Sequence, residues 1–232
     1  KNALVSLKNA FACDPISAFG GVIACNFKID KDIAMEIQKK FLEVILAKGF
    51  DKEALNILKK KKNLRIIDTS NFIGENKFNF TSKYNSILIQ NVDNKNFSKK
   101  DFKVVSKRKP NIETLNKLIF AFNVCRNVKS NAIVITSNYR TIGIGSGQPS
   151  RLDSCQIAIN KMKKFQSLEK NSELFAASDA FFPFVDGIEK LVQSGVSAVI
   201  QPSGSKNDKE IIKFANLTNT ILVFSKTRHF NH

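Results

Sequence analysis

A layered α/β fold is the architecture this sequence predicts. Three observations carry it: short apolar runs alternate with amphipathic segments, turn-forming residues punctuate them, and 232 residues with 43% hydrophobic content can bury a full core. Apolar spacing over 3–11 predicts a helix that stops at Asp14-Pro15, because proline disfavours helical backbone in the residue before it. Val22-Ile23-Ala24-Cys25, entered through Gly20-Gly21, suits a buried strand. A helix over 30–41, a strand over 44–47, a helix over 52–60 and a strand over 65–67 continue the alternation.

From about 68 to 109 the pattern weakens under many Asn, Ser and Lys residues, with strands expected only at 86–90 and 102–105. This stretch reads as the connection that closes a first subdomain, 1–109, before a second, 110–232. Pro110 opens a helix to about 128, whose Leu115, Leu118, Ile119 and Phe122 share one side. Residues 132–136 and 140–144 are expected to pair as a hairpin around Ser137-Asn138, followed by a helix over 149–164. A helix at 187–194, a strand at 198–200, a helix at 208–215 and a strand at 221–224 complete the chain, with no repeat at solenoid spacing.

No window reaches the eighteen or so apolar residues of a membrane helix, and no signal-peptide pattern stands at the start, so a soluble cytoplasmic protein is expected. Cysteines 13, 25, 125 and 155 are too scattered for a metal or redox motif and read as reduced structural thiols. The formal charge of +17 admits nucleic-acid binding, attraction of small polyanions, or compositional bias. Only six of the 37 basic residues are arginine (65, 108, 126, 140, 151 and 228), whereas a phosphate-backbone reader leans on arginine forks. Solvated lysine-rich faces such as Lys59 to Lys62 are the favoured explanation, leaving a surface that steers small anions inward.

Lys129-Ser130-Asn131-Ala132 and Ile142 to Arg151 are the most informative segments. Gly143, Gly145 and Gly147 leading to Arg151 suggest backbone amides and a fixed cation presented to an anion at a helix N-terminus. The dinucleotide fingerprint fails, because Gln148 stands where its third glycine is required. The plainer alternative is a tight turn. Pro202 to Asp208 is a second small-residue turn, where Ser205 or Asn207 could cap a helix or help bind a ligand. Ser178 to Phe184 sets three phenylalanines around Pro183, as core or as the wall of a slot for a flat ligand. Both histidines, His229 and His232, lie in the tail beside Arg228 and could supply a titratable imidazole near a phosphate-binding cation.

Taken in order, Asp14-Pro15-Ile16-Ser17-Ala18-Phe19-Gly20-Gly21, Glu43 to Ala47, Lys129 to Ala132, Ile142 to Arg151, Ser178 to Phe184, Pro202 to Ser205 and the tail ending in His232 resemble one family. It is the formyltransferase part of the bifunctional purine-biosynthesis enzyme that also carries IMP cyclohydrolase. The resemblance implies a cytidine-deaminase-like layered fold, built as two similar subdomains with mixed sheets flanked by helices and lacking the deaminase zinc site. It implies formyl transfer from 10-formyltetrahydrofolate, the co-substrate, to the 5-amino group of AICAR, an aminoimidazole carboxamide ribonucleotide, with no metal, nucleic acid or membrane involved. By the same resemblance Gly20, Glu43, Asn131, Phe181 and Arg228 contact the nucleotide, Arg228 at its phosphate. Arg151, Asp186, Ser205 and Lys206 lie on the folate side. Asn131 and His232 stand nearest the reacting groups, and sites are completed across a homodimer. The family's catalytic Lys-His pair would precede the Asp14-Pro15 motif, and no such dipeptide occurs in this sequence. The chain is therefore expected to be an amino-terminally truncated piece without the cyclohydrolase domain, and inactive alone.

Overall fold

The computed structural model describes residues 2–72, 74, 77–169 and 171–231. The chain divides into two compact units, one comprising 1–11 and 15–94, the other 12–14 and 95–232.

The first unit is a parallel sheet with helical crossovers. Helix α1 (Ala3–Cys13) precedes β1 (Gly21–Cys25), α2 (Lys31–Gln38), β2 (Leu42–Ala47), α3 (Lys52–Leu58) and β3 (Arg65–Asp68), with strand order β1-β2-β3. Asp30 starts α2 by accepting a hydrogen bond from the Ile33 amide at 2.9 Å, satisfying a donor that the first helical turn leaves unpaired. Ile33, Ala34 and Ile37 then pack with Ile45 and Ala47 of β2 and Ala54 and Leu58 of α3 in one core. A separate hairpin, β4 (Phe78–Lys83) and β5 (Ser86–Asn91), occupies part of the stretch expected as a connection. The Phe78-Asn79-Phe80 alternation of β4 is a strand signal that the surrounding Asn and Lys residues obscure.

The second unit carries a mixed six-stranded sheet. Its elements are β6 (Phe102–Val104), α4 (Ile112–Cys125), β7 (Ile133–Ser137), β8 (Arg140–Gly145), α5 (Arg151–Phe165), β9 (Leu174–Ser178), α6 (Val185–Gln193), β10 (Val196–Pro202), α7 (Asp208–Leu217) and β11 (Ile221–Ser225). The strand order is β6-β11-β10-β9-β7-β8, with β9, β10 and β11 parallel and β6, β7 and β8 joining through antiparallel pairings. Because β6 pairs with β11, residues 95–109 group with the second unit, and the division falls between Asn94 and Lys95 rather than at 109/110. Helices cover both faces, so successive side chains of one strand enter different cores. Ile133 and Ile135 pack with α5 and α6 residues, whereas Val134 packs with Leu118, Phe122 and Cys125 of α4. The expected hairpin forms as β7 and β8, turning at Asn138 and Tyr139, whose φ values of 47° and 58° match the primed turns of two-residue loops.

Candidate functional site

The glycine-rich segment does not form the anion cradle its composition suggests. Gly143 and Gly145 lie inside β8, paired across the ladder with Ile135 and Ile133. A Cβ on Gly143 would come 2.2 Å from the Ala158 carbonyl oxygen, and one on Gly145 would come 1.8 Å from that of Ser154. Both glycines are there so that α5 can pack directly on the strand. Gly147 alone of the three has a left-handed backbone, φ 70°, and its amide donates to the Lys129 carbonyl at 2.9 Å. That bond ties the start of α5 to the Lys129–Asn131 segment.

Arg151, the first residue of α5, reaches back from there into a closed network. Its Nη1 donates to Asp179 Oδ1 at 2.9 Å, its Nη2 to Asn131 Oδ1 at 2.8 Å and its Nε to the Phe181 carbonyl at 3.3 Å. The Arg151 side chain is 10% exposed and that of Asp179 1%. The fork expected to meet an anionic ligand is thus largely filled by the protein's own acceptors, and its charge is balanced by a buried carboxylate. Asn131 is held on every side: Nδ2 donates to the Gln148 and Pro149 carbonyls, both at 2.9 Å, and Ser154 Oγ donates to its backbone carbonyl at 2.8 Å. The Ser130–Asn131 peptide is cis.

Around this network lies a cavity of 530 Å3. Asn131, Arg151, Phe181, Asp186, Arg228 and Phe230 are among the residues that line it. The Arg228 guanidinium sits 4.9 Å from the centre of the Phe181 ring, and among the described residues no carboxylate lies within ion-pair distance of it. Its position follows from the tail around it. Ser130 and Asn231 exchange two hydrogen bonds, at 2.9 and 3.2 Å, and the His229 amide donates to the Asp179 carbonyl at 2.9 Å. The His229 ring is buried against Phe122 and Phe97, at centroid distances of 4.5 and 5.5 Å. His229 therefore fastens the tail, while His232 lies outside the described residues.

The remaining expected residues are placed as follows. Asp186 lies in the first turn of α6 and lines the cavity, its Oδ1 accepting from the Gly187 amide at 2.7 Å. Ser205 and Lys206 are not on the cavity wall. The 202–208 turn is closed internally, with the Asp208 carboxylate accepting from the Gly204 and Ser205 amides at 2.8 and 3.2 Å. Asn207 is the N-cap of α7 yet makes no side-chain cap bond; its Nδ2 donates to the Pro183 carbonyl at 2.6 Å instead. Gly20 and Glu43 belong to the first unit. There Gly20, with φ 69°, donates to the Phe41 carbonyl at 3.0 Å beside a Phe19–Phe41 ring pair 4.9 Å apart, and Glu43 is exposed on β2.

All three motif phenylalanines line the cavity, and of them Phe182 alone is core, 1% exposed. Asp179 is the residue that sequence reasoning passed over. A carboxylate between Ser178 and Ala180, inside an otherwise apolar segment, is itself a signal of a paired buried charge.

The thiols are poor nucleophiles. Burial pushes Cys155 up to about 12 and Cys125 well above the ordinary thiol range, and it raises Cys13 and Cys25 as well. Among the described residues no group of three or more metal-ligating side chains comes together, and no helix is long and apolar enough to cross a membrane.

The AICARFT/IMPCHase bienzyme family matches residues 1–161. Over 231 residues the chain is 43% identical to the bifunctional purine biosynthesis protein PurH of Polynucleobacter asymbioticus, covering 100% of this chain and 44% of that protein. It is likewise 43% identical to PurH of Aquifex aeolicus, over 98% of this chain and 44% of the relative. PurH of Buchnera aphidicola subsp. Schizaphis graminum is 45% identical over 97% of this chain and 43% of its own length. The chain thus spans less than half the length of these relatives. Among solved structures, the apo dCMP deaminase of cyanophage S-TIM5 aligns with 49% of this chain and 98% of its own, at a TM-score of 0.33 and 18% identity. The family match over most of the chain, and identities above 40% over nearly all of it, show that this chain belongs to the AICARFT/IMPCHase bienzyme family of purine biosynthesis.

Proposed function

We propose that the cavity of the second unit binds AICAR and serves formyl transfer to its 5-amino group from 10-formyltetrahydrofolate. The observation that carries this reading is Arg228 held over the Phe181 ring in a cavity that Asn131 also lines. A cation with no ion-pair partner among the described residues suits a phosphate, an aromatic plane suits the imidazole, and a fixed amide suits a carboxamide and its neighbouring amine. Asn131 Oδ1 takes one hydrogen bond from Arg151 and keeps a second lone pair for an N–H of the ligand.

In this reading Asn131 aligns the amine with the formyl carbon. The aminoimidazole nitrogen is a weak nucleophile because its lone pair is conjugated with the ring, so alignment is a large part of what the protein must supply. Nitrogen adds to the formyl carbon, the amine loses a proton, and the C–N bond to tetrahydrofolate breaks as that nitrogen takes up a proton and departs. In this reading Asp186, in the first turn of α6 and on the cavity lining, accepts hydrogen bonds from the N–H groups of a folate ring. Proton removal and oxyanion stabilisation belong in this reading to a Lys-His pair, a dipeptide absent from the 232 residues, so these residues alone bind without appreciable turnover. A homodimer that shares sites, with Gly20 and Glu43 also meeting nucleotide, completes the proposal.

The net charge of +17 favours one rival, a nucleic-acid-binding module. Calorimetric titration of the chain with AICAR and, separately, with a single-stranded polynucleotide at rising salt decides between them. One saturable AICAR site per chain, with only weak polynucleotide binding, is expected. Tight polynucleotide binding that collapses with salt, and no AICAR heat, would overturn the proposal.

A further inference from the structure

We propose that Asp179 determines the anion specificity of this cavity by neutralising Arg151 and turning it into a positioning group for Asn131. The inference rests on the reading of the cavity as an AICAR site, and it concerns a residue that does not line the cavity. Two arginines, Arg151 and Arg228, face the same space. Left uncompensated, they would make it a general binder of small dianions, including free phosphate. Among the described residues only Arg151 of the two pairs with a carboxylate, that of Asp179, at 2.9 Å and 1% exposed.

The pair has a directional consequence. With Nη1 fixed by Asp179 and Nε by the Phe181 carbonyl, the guanidinium plane is set so that Nη2 donates to Asn131 Oδ1. That donor settles which end of the Asn131 amide is oxygen, since its nitrogen faces two backbone carbonyls. Asp179 is also anchored through its main chain. Its amide donates to the Ala132 carbonyl at 3.2 Å, next to Asn131, and its carbonyl accepts from His229, next to Arg228. One residue thus ties together the supports of the carboxamide reader and of the phosphate reader. Asp179 Oδ2 is buried with no hydrogen-bond partner among the described residues, so a whole carboxylate is kept where a single acceptor atom would satisfy the geometry. What the second oxygen secures is negative charge beside a buried guanidinium.

The test is competition of inorganic phosphate against AICAR, measured by calorimetry on the wild-type chain and on Asp179→Asn, with circular dichroism to verify folding. The amide keeps the shape and one acceptor but removes the charge, so Arg151 becomes an uncompensated cation in the cavity. Phosphate is expected to bind about tenfold more tightly, AICAR no more tightly than before, and Asp179→Glu to restore part of the discrimination. A purely structural role for Asp179 would weaken both ligands together. A folded Asp179→Asn chain with both affinities unchanged, or both weakened, overturns the inference.

If Asp179→Asn does not fold, the double variant Asp179→Asn with Arg151→Gln removes both charges and decides the matter. It is expected to bind phosphate within threefold of wild type and AICAR about tenfold more weakly; a tenfold loss of phosphate affinity would mean that Arg151 reads the anion itself. Should the wild-type chain bind no AICAR, the parent reading fails, an outcome distinct from either of these.

Discussion

At Gly145 an added methyl group would lie 1.8 Å from the Ser154 carbonyl oxygen, whereas at Gly147 the nearest atom, Lys129 Cβ, would be 3.9 Å away. The two glycines therefore make opposite demands. Gly145→Ala forces α5 off β8 and is expected to cost about 3 kcal/mol in urea unfolding, the upper range for overpacking. Gly147→Ala suffers only the strain of φ 70° and should cost about 1 kcal/mol. Similar costs at both positions would contradict the packing account of Gly145. The composition of this segment pointed to an anion cradle because glycine serves turns and close approaches alike, and only the strand ladder distinguishes them. Arg151 poses the same ambiguity. An arginine at a helix start reads as an anion site until a carboxylate 28 positions away is known to meet it. Burial makes a further prediction for Cys125 and Cys155: folded protein should resist iodoacetamide at neutral pH, and rapid labelling of either would contradict their raised pKa values.

Among elements, those with strong apolar periodicity were readable from sequence, as α2, α4 and the β7–β8 hairpin show. Strand β9, Leu-Phe-Ala-Ala-Ser, escaped notice because alanines give little strand signal; only its place between β7 and β10, buried on both faces, makes a strand of it. The stretch from 68 to 109 was the other difficulty. Its Asn and Lys content suggested a connection, yet β6 becomes the edge of the large sheet, held in part by a turn with its own electrostatics. Backbone and side-chain hydrogen bonds from Ser98, and Lys95, lower the Asp101 carboxyl to about 2. A depressed carboxyl stabilises the folded state above its unfolded pKa and loses that contribution as pH falls. The Ser98–Asp101 turn should therefore loosen as pH drops from about 4 to 2, observable as faster exchange of the Ser98 amide, and Asp101→Asn should abolish that dependence. Exchange at Ser98 that stays flat over this range in the wild type would contradict the assignment.

For the whole molecule, the two units separate what sequence alone presented as a single set of nucleotide contacts. Asn131, Phe181 and Arg228 converge on one cavity of the second unit, with Asp186 and the Arg151–Asp179 pair beside them, whereas Gly20 and Glu43 belong to the first. The family was legible because its motifs are spread along nearly the whole chain. The role of each charge was not, since pairing across α5, the turn after β9 and the tail is a property of the fold. In the proposed reading the net charge of +17 supplies a general attraction for anions and Arg228 the specific contact. Calorimetric titration of AICAR into the wild-type chain and into Arg228→Ala tests that claim most directly. The account predicts saturable binding in the wild type, weakened about tenfold or more in the variant, as loss of a charge-assisted phosphate contact requires; affinities within twofold of each other would contradict it.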